Sequence, residues 1–181
     1  GGEALEGLNV AGELNSNFII VFNDNQMSIA ENHGGMYDQF AELRRTNGAA
    51  ENNLFKSMGL DYLYVNDGND IEALIATFEQ VKDSTHPVVV HINTLKGKGY
   101  APAEANKEKW HWHMPFDIQT GQSPASGSSE SYASIFAEYA LKRAKTDPKF
   151  LVLMSAVPGL LGLTQERREE LGKHYLDVGI A

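Results

Sequence analysis

The chain has 181 residues, 42% of them hydrophobic, which is enough to bury a substantial core, so we expect a folded globular protein. Its 24 acidic and 15 basic residues give a net charge of −9, which disfavours nucleic acids and anionic membrane surfaces as partners because both require a basic face. The sequence contains no cysteine, which excludes disulfides, thiolate zinc sites and cysteine nucleophiles and is compatible with a cytoplasmic protein.

The start of the chain has a helical pattern from Glu3 to Leu8 and no initiator methionine, so we expect a piece of something longer. No apolar run approaches the roughly 20 residues that a transmembrane helix requires, and we expect no membrane partner.

Short apolar runs rich in β-branched residues alternate with amphipathic stretches along the chain. Five runs predict strands: residues 18–22, 62–65, 88–92, 150–154 and 175–178. The second and the last are the weaker ones. Between the second and third runs, Asp70 can cap a helix whose apolar positions recur at helical spacing up to Val81. The predicted fold class is α/β, a parallel sheet flanked by helices, with a right-handed strand–helix–strand unit.

A change of composition predicts the domain organisation. Residues 117–131 are mostly small and polar and show no periodicity, which indicates a linker. An amphipathic helix starts again at Tyr132 and is followed by further α/β alternation. We therefore predict one domain over residues 1–116 and the beginning of a second over residues 132–181.

The strongest local signal for a site is the polar segment Asn23–Ile29, directly after the first apolar strand. In a parallel sheet, ligands bind where the strands end at their carboxyl side. Asn25 can offer an amide oxygen and Met27 a backbone carbonyl oxygen, which are the hard ligands that Mg²⁺ takes. The alternative is an ordinary turn, since asparagine and aspartate favour turns through local hydrogen bonds.

The context of this segment resembles the 1-deoxy-D-xylulose-5-phosphate synthase family of transketolase-like thiamine-diphosphate enzymes. The residues that carry the resemblance are those from Asn23 to Ile29 and the preceding helix, then Lys96–Glu104, His111 and 115–117, and finally 131–136 and 175–181. The resemblance implies a thiamine-diphosphate-binding fold. Residues 1–116 would form part of the diphosphate-binding domain and residues 132–181 the beginning of the pyrimidine-binding domain.

The resemblance also implies roles for individual residues. Asn25 and Met27 would bind Mg²⁺, Ser28 and Tyr100 would contact thiamine diphosphate, and His111 would contact the cofactor and act in catalysis. The residue types agree with this in kind, because a glycine-rich loop allows backbone to approach an anion and an imidazole can donate or shuttle a proton. Lys96 and Lys98 would add positive potential near a diphosphate, although a solvated surface role suits them equally well.

The implied activity is the condensation of pyruvate with glyceraldehyde 3-phosphate to 1-deoxy-D-xylulose 5-phosphate, with loss of carbon dioxide. This reaction feeds isoprenoid and thiamine biosynthesis, and the family resemblance implies a cytoplasmic homodimer. In the family pattern, a Gly-Asp-Gly motif precedes this sequence and an activating glutamate follows it, so we expect the 181 residues alone to be inactive. The alternatives are transketolase-type ketol transfer and a non-catalytic truncated module with a scaffold role. The stretch between Ile29 and Leu54 is also shorter than the family pattern.

The remaining histidines favour structural interpretations. His111 and His113 are two residues apart and could share a metal, but zinc requires a third protein ligand, for which the sequence offers no related residue. His91 lies within an apolar strand, where a core residue with satisfied hydrogen bonds is the better interpretation. We expect Trp110 and Trp112 to be packing residues.

Overall fold

A computed structural model describes residues 2–123 and 130–179. These residues form two compact units, the first comprising 2–27 and 34–104, and the second comprising 28–33, 105–123 and 130–179. Residues 124–129 of the predicted linker, and Ile180 and Ala181 of the last family motif, lie outside the described residues. The domain limits at residues 116 and 132 stay a prediction.

The first unit is an α/β structure, as predicted. Its strands are β1 (Ile19–Asp24), β2 (Asp61–Val65) and β3 (Val88–Asn93), and its helices are α1 (Gly2–Ala11), α2 (Gly35–Arg45), α3 (Leu54–Ser57), α4 (Ile71–Val81) and most of α5 (Ala101–Ala105). The strands pair in parallel in the order β1-β3-β2. Asp24 of β1 is opposite Asn93, and Val65 of β2 is opposite Ile92. All three strands therefore end at one side of the sheet, which we call the carboxyl edge.

The central strand β3 is buried on both faces, which explains why His91 alone interrupts its apolar run from Val88 to Ile92. On one face Val89 belongs to a core with Phe40 of α2 and Phe55 of α3. On the other face Val88 and Val90 pack in a core that includes residues of α4. The alternation of side chains along β3 thus divides the hydrophobic residues of the first unit between two layers of helix.

The start of α4 confirms the predicted cap. The side chain of Asp70 accepts a hydrogen bond from the Glu72 backbone N–H at 3.0 Å. Because β2, α4 and β3 follow one another and the two strands are parallel neighbours, they form the predicted strand–helix–strand unit. Asn53 caps α3 in the same way, accepting from the backbone N–H groups of Phe55 and Lys56.

The second unit contains a two-stranded parallel sheet. Its elements are α6 (Tyr132–Thr146), β4 (Val152–Met154), a 3₁₀ helix (Pro158–Leu161), α7 (Gln165–Leu171), a second 3₁₀ helix (Gly172–His174) and β5 (Tyr175–Asp177), with β4 paired to β5. Arg168 of α7 donates from two guanidinium nitrogens to the two carboxylate oxygens of Glu108, both at 2.8 Å. This bidentate pair ties residues 105–110 to α7.

The strands differ slightly from the sequence prediction. β1 extends beyond the apolar run to include Asn23 and Asp24, because both residues continue the pairing with β3. β4 begins at Val152 and β5 ends at Asp177, so each is shorter than its apolar run. Within the described residues, no helix combines the length and the apolar character needed to cross a bilayer.

Candidate functional site

The carboxyl end of β1 leads into a tight turn. The backbone N–H of Gln26 donates to Oδ1 of Asp24, and the backbone N–H of Met27 donates to Oδ1 of Asn25, both at 3.0 Å. Gln26 lies in the left-handed region with φ 67°. Two successive side-chain-to-backbone hydrogen bonds therefore fix the segment from Asn25 to Met27, which we call the Asn25–Met27 turn.

The oxygen atoms of this turn suit a hard cation. The amide oxygen of Asn25 has two lone pairs, and its hydrogen bond from Met27 uses one of them. The second lone pair and the Met27 carbonyl oxygen are the kind of donor that Mg²⁺ takes, together with water and phosphate oxygens. Among residues 2–123 and 130–179, no three histidine, aspartate or glutamate side chains are grouped so as to hold a metal. The donor set thus fits Mg²⁺ better than Zn²⁺.

Asp24, immediately before this turn, is a buried carboxylate with charged partners. Its side chain is 6% exposed and forms an ion pair with Arg44 of α2. Its Oδ2 also lies 3.1 Å from Nε2 of His91 on β3. Burial raises the pKa of Asp24, but the hydrogen bonds from His91 and Arg44 and the charge of Arg44 outweigh this, so its pKa lies below the usual range. Asp24 is therefore an anion that the folded protein holds in place.

His91 connects Asp24 to Tyr62 on β2. Its side chain is 0% exposed, and Nδ1 lies 2.8 Å from the Tyr62 hydroxyl. Burial raises the pKa of Tyr62, so the hydroxyl keeps its proton and can donate it to Nδ1. The proton of a neutral imidazole then belongs on Nε2, which donates to Asp24. The prediction that His91 is a core residue with satisfied hydrogen bonds is confirmed.

Other polar side chains tie the loops of the carboxyl edge together. Oγ1 of Thr94, just after β3, donates to Oδ1 of Asn23 on β1 at 2.6 Å. The backbone N–H of Leu95 donates to Oδ1 of Asn69, in the loop after β2, at 2.7 Å. The loop after β3 is thereby fixed to the end of β1 and to the loop after β2.

Tyr100 lies in the first unit, at the end of a glycine-containing loop after β3. Gly97 and Gly99 have φ values of 83° and 94°, and a Cβ at Gly97 would lie 2.8 Å from Ala103. The backbone N–H of Gly99 donates to Oε1 of Glu104 at 2.8 Å. Glycine is therefore needed at position 97 for the loop to pack against α5 and set the position of Tyr100.

Ser28 and His111 belong to the second unit. The hydroxyl of Ser28 donates to Oδ1 of Asn32 at 2.6 Å, and the backbone N–H of Ala30 donates to the carbonyl of Ala156. His111 is exposed, and its backbone N–H donates to the Glu108 carbonyl at 3.2 Å. Each residue is thus held by contacts within its own unit.

The aromatic residues near His111 are only partly packing residues. Trp110 stacks on His113, with 4.4 Å between the ring centroids, and meets the edge of Phe116. Trp112 is 72% exposed. The packing interpretation is therefore right for Trp110 and wrong for Trp112.

The structure brings Asn25 and Met27 together in one turn and places Tyr100 in the same unit. Sequence reasoning missed the network of Asp24, Arg44 and Tyr62 around His91. Two signals pointed towards it: a carboxylate two residues after an apolar run, and a single histidine within another apolar run. Neither signal identifies the partners, which come from separate segments of the chain.

Comparison with known proteins gives the family. A family profile described as 1-deoxy-D-xylulose-5-phosphate synthase matches residues 1–52 and 45–94. The chain is 32% identical over 216 residues to the 1-deoxy-D-xylulose-5-phosphate synthase of Pelotomaculum thermopropionicum. It is 35% identical over 220 residues to 1-deoxy-D-xylulose-5-phosphate synthase 1 of Geobacter sulfurreducens. Both alignments include 100% of this chain and 34% of the relative.

The chain thus spans about a third of the length of these relatives. The two parts of the profile match overlap at residues 45–52, within the stretch between Ile29 and Leu54 that we expect from the sequence to be shorter than the family pattern. Because the matched parts of the profile together include more than half of the chain, the chain belongs to the 1-deoxy-D-xylulose-5-phosphate synthase family.

Proposed function

We propose that the Asn25–Met27 turn binds the Mg²⁺ ion that anchors the diphosphate of thiamine diphosphate. The observation that carries the proposal is the orientation of Asn25, whose amide oxygen is held by the Met27 N–H and keeps a second lone pair for a cation. The position at the carboxyl edge of a parallel sheet supports it, since ligands of such sheets bind there. Membership of a thiamine-diphosphate-dependent family supports the identity of the cofactor.

We assign further cofactor contacts by resemblance to the family. In the first unit, Tyr100 would lie against the cofactor, and the glycines before it let the backbone approach an anion. In the second unit, Ser28 would contact the cofactor, and His111 would contact it and donate or accept a proton during catalysis. Residues 1–116 would then be part of a diphosphate-binding domain, and residues 132–181 would begin a pyrimidine-binding domain.

The reaction that we propose for the complete protein is that of the relatives' name. It condenses pyruvate with glyceraldehyde 3-phosphate to 1-deoxy-D-xylulose 5-phosphate and releases carbon dioxide, as a step towards isoprenoids and thiamine. Bound thiamine diphosphate supplies the carbanion chemistry of such a reaction. We further propose that the protein is a homodimer and that it acts in the cytoplasm. The lack of cysteine is compatible with that compartment.

The proposed contribution of this chain is binding and orientation. Asn25 and Met27 would hold the cation with neutral oxygen atoms, so these two residues would add no negative charge to the site. Two hydrogen bonds hold the turn without a ligand, which would lower the ordering cost of binding. His111 is exposed and lies outside the buried hydrogen-bond network of Asp24, His91 and Tyr62.

Replacing Asn25 by alanine tests the site. In the complete protein, calorimetric titration with thiamine diphosphate should show Mg²⁺-dependent binding, and Asn25→Ala should raise the Kd about tenfold or more, because a cation ligand is lost. Asn15→Ala is the matched control, since Asn15 is an exposed asparagine of the same unit outside the carboxyl edge. Equal cofactor affinity in all three proteins would remove the site assignment.

Two assays separate the proposed reaction from its alternatives. Release of carbon dioxide from pyruvate by the complete protein supports the synthase reaction, whereas activity only with a ketose phosphate donor would indicate transketolase-type transfer. Titration of the 181-residue chain with thiamine diphosphate and Mg²⁺ tests the third possibility. Measurable binding supports a cofactor site in this chain, and no binding by either form of the protein would leave a scaffold role.

A further inference from the structure

The hydrogen bonds around Asp24 form a continuous path from the core of the first unit to the Asn25–Met27 turn. The path begins at the Tyr62 hydroxyl, passes through the two ring nitrogens of His91 and reaches Oδ2 of Asp24. The other oxygen of the same carboxylate accepts the Gln26 N–H at 3.0 Å. Gln26 is the central residue of the turn. One rigid carboxylate therefore links the imidazole to the turn.

We infer that His91 is a positioning residue for the Asn25–Met27 turn, acting through the Asp24 carboxylate. The inference rests on the proposed function of the turn as a Mg²⁺ ligand. Nε2 of His91 and the Arg44 guanidinium both meet Oδ2 of Asp24, which leaves Oδ1 directed at the Gln26 N–H. Without the imidazole, the carboxylate could rotate on Arg44 alone, and the oxygen that holds Gln26 would move.

The ring itself is fixed more firmly than packing alone requires. Its faces and edges meet the rings of Phe22 and Tyr64, with centroids 4.8 and 5.1 Å away. An apolar side chain would fill this space at lower cost, because a buried imidazole must have both nitrogens satisfied. Here one nitrogen reaches Tyr62 and the other reaches Asp24. The role of an imidazole at this position is therefore to make these two hydrogen bonds, because filling the core does not require a polar ring.

Positioning partners of this kind have measurable effects on metal binding. Groups that hydrogen-bond to metal ligands, or orient them, typically change metal affinity by about 10-fold to 100-fold when removed. We expect His91→Leu, which fills the space but loses both hydrogen bonds, to raise the Kd for Mg²⁺ about tenfold in the presence of thiamine diphosphate. His91→Gln keeps an N–H donor for Asp24 and should restore most of the affinity. Tyr62→Phe leaves the imidazole and should raise the Kd by less than His91→Leu.

A core variant distinguishes positioning from general stability. Phe55 is buried beside His91, with 6.2 Å between ring centroids, and no hydrogen bond of the path passes through it. Phe55→Leu should destabilise the first unit by leaving a small cavity while keeping the Mg²⁺ affinity of the unaltered protein. A stability effect alone would instead make Phe55→Leu and His91→Leu weaken Mg²⁺ binding alike.

The test measures the complete protein in two ways. Calorimetry gives the Kd for Mg²⁺ with thiamine diphosphate present, and amide hydrogen exchange of Gln26 is followed with neither present. The inference expects weaker Mg²⁺ binding and faster Gln26 exchange in His91→Leu, recovery of both in His91→Gln, and unchanged values in Phe55→Leu. If His91→Leu does not fold, Tyr62→Phe and His91→Gln carry the comparison, and unchanged Kd and exchange in Tyr62→Phe contradict the inference.

The outcomes also separate this inference from the function on which it rests. If the unaltered protein binds Mg²⁺ and His91→Leu binds it equally well, the inference is contradicted and the proposed function stands. If the unaltered protein binds no Mg²⁺ with thiamine diphosphate present, the proposed function is contradicted and the inference falls with it.

Discussion

Each unit of the molecule contains a parallel strand whose last residue is an aspartate, and the side chains of the two aspartates are held by different kinds of partner. Asp24 ends β1 and is bound by the Arg44 guanidinium and the His91 imidazole, from residues 20 and 67 positions away. Asp177 ends β5 and accepts hydrogen bonds from the backbone N–H groups of Ala156 and Gly179 and from the Tyr175 hydroxyl. Two of these three partners lie two residues from Asp177 in the sequence.

This difference shows how the fold can fix a charge. Burial raises the pKa of both carboxyl groups, and hydrogen bonds lower the two pKa values by more. At Asp24, however, the balance also depends on a cation that only the folded first unit supplies. At Asp177, neutral hydrogen-bond donors do most to lower the pKa, and two of them, Tyr175 and Gly179, lie only two residues away in the sequence. The turn after Asp24 is therefore tied to the tertiary structure of the first unit.

Replacing Arg44, whose guanidinium pairs with Asp24, is the strongest test of this comparison. Arg44→Met keeps most of the apolar stem of the side chain but leaves a buried carboxylate with less compensation. Breaking a buried ion pair by removing one partner typically costs about 3–5 kcal/mol, and we expect about 3 kcal/mol because Arg44 is 19% exposed. Urea unfolding monitored by amide exchange of β3 gives the free energy of unfolding of the first unit.

The adjacent arginine provides the control for this variant. Arg45 pairs with Glu42 on the same helix, but its side chain is 72% exposed, so Arg45→Met should leave the unfolding midpoint almost unchanged. If both variants unfold at the same urea concentration as the unaltered protein, the Asp24–Arg44 pair does not hold the first unit together.

Acid titration should reveal how the stability of the second unit depends on the charge of Asp177, an effect that we expect to be smaller than that of Arg44→Met. Its pKa in the folded protein lies below the value of about 3.9 for an unfolded chain, so it stabilises the second unit above that pH. The stabilisation is lost as the pH falls through the folded-state pKa. Asp177→Asn should lower the thermal midpoint at neutral pH, and the difference from the unaltered protein should shrink below about pH 4.

Glu169→Gln separates this effect from a change of net charge. Glu169 is an exposed side chain of α7, and its replacement removes one negative charge from the same unit. We expect its thermal midpoint to follow that of the unaltered protein at every pH. A constant difference between Asp177→Asn and the unaltered protein from pH 7 to pH 2 would show that the charge of Asp177 is not what stabilises the unit.

The sequence predicts the elements of the fold better than their arrangement. The apolar runs around Val21, Leu63 and Val90 predict all three strands of the first unit, although only β3 is buried on both faces and Val21 of β1 is 48% exposed. Asp70 predicts the start of α4 through its local hydrogen bond. The order β1-β3-β2 is not contained in these patterns. Only that order brings β3 beside both other strands.

The same limit applies to the site. The turn from Asn25 to Met27 agrees with the turn that the asparagine- and aspartate-rich segment favours, because its hydrogen bond is local, while the role of both residues as metal ligands stays a prediction. The partners of His91 are not predictable, since Asp24 and Tyr62 come from the two strands on either side of β3. Asp24 also lies inside β1 rather than in the loop, because its pairing with Asn93 extends the strand. Local sequence patterns therefore predict the turn, whereas the strand order determines that His91 lies beside Asp24 and Tyr62.

A paramagnetic ion gives the most direct test of where the metal binds. Mn²⁺ accepts the same oxygen ligands as Mg²⁺ and broadens the NMR signals of nuclei close to it. With thiamine diphosphate present, Mn²⁺ added to the complete protein should broaden the amide signals of Asn25, Gln26 and Met27 first, and excess Mg²⁺ should reverse the effect. Broadening centred on His111 and His113, with the signals of the Asn25–Met27 turn unchanged, would contradict the proposed site.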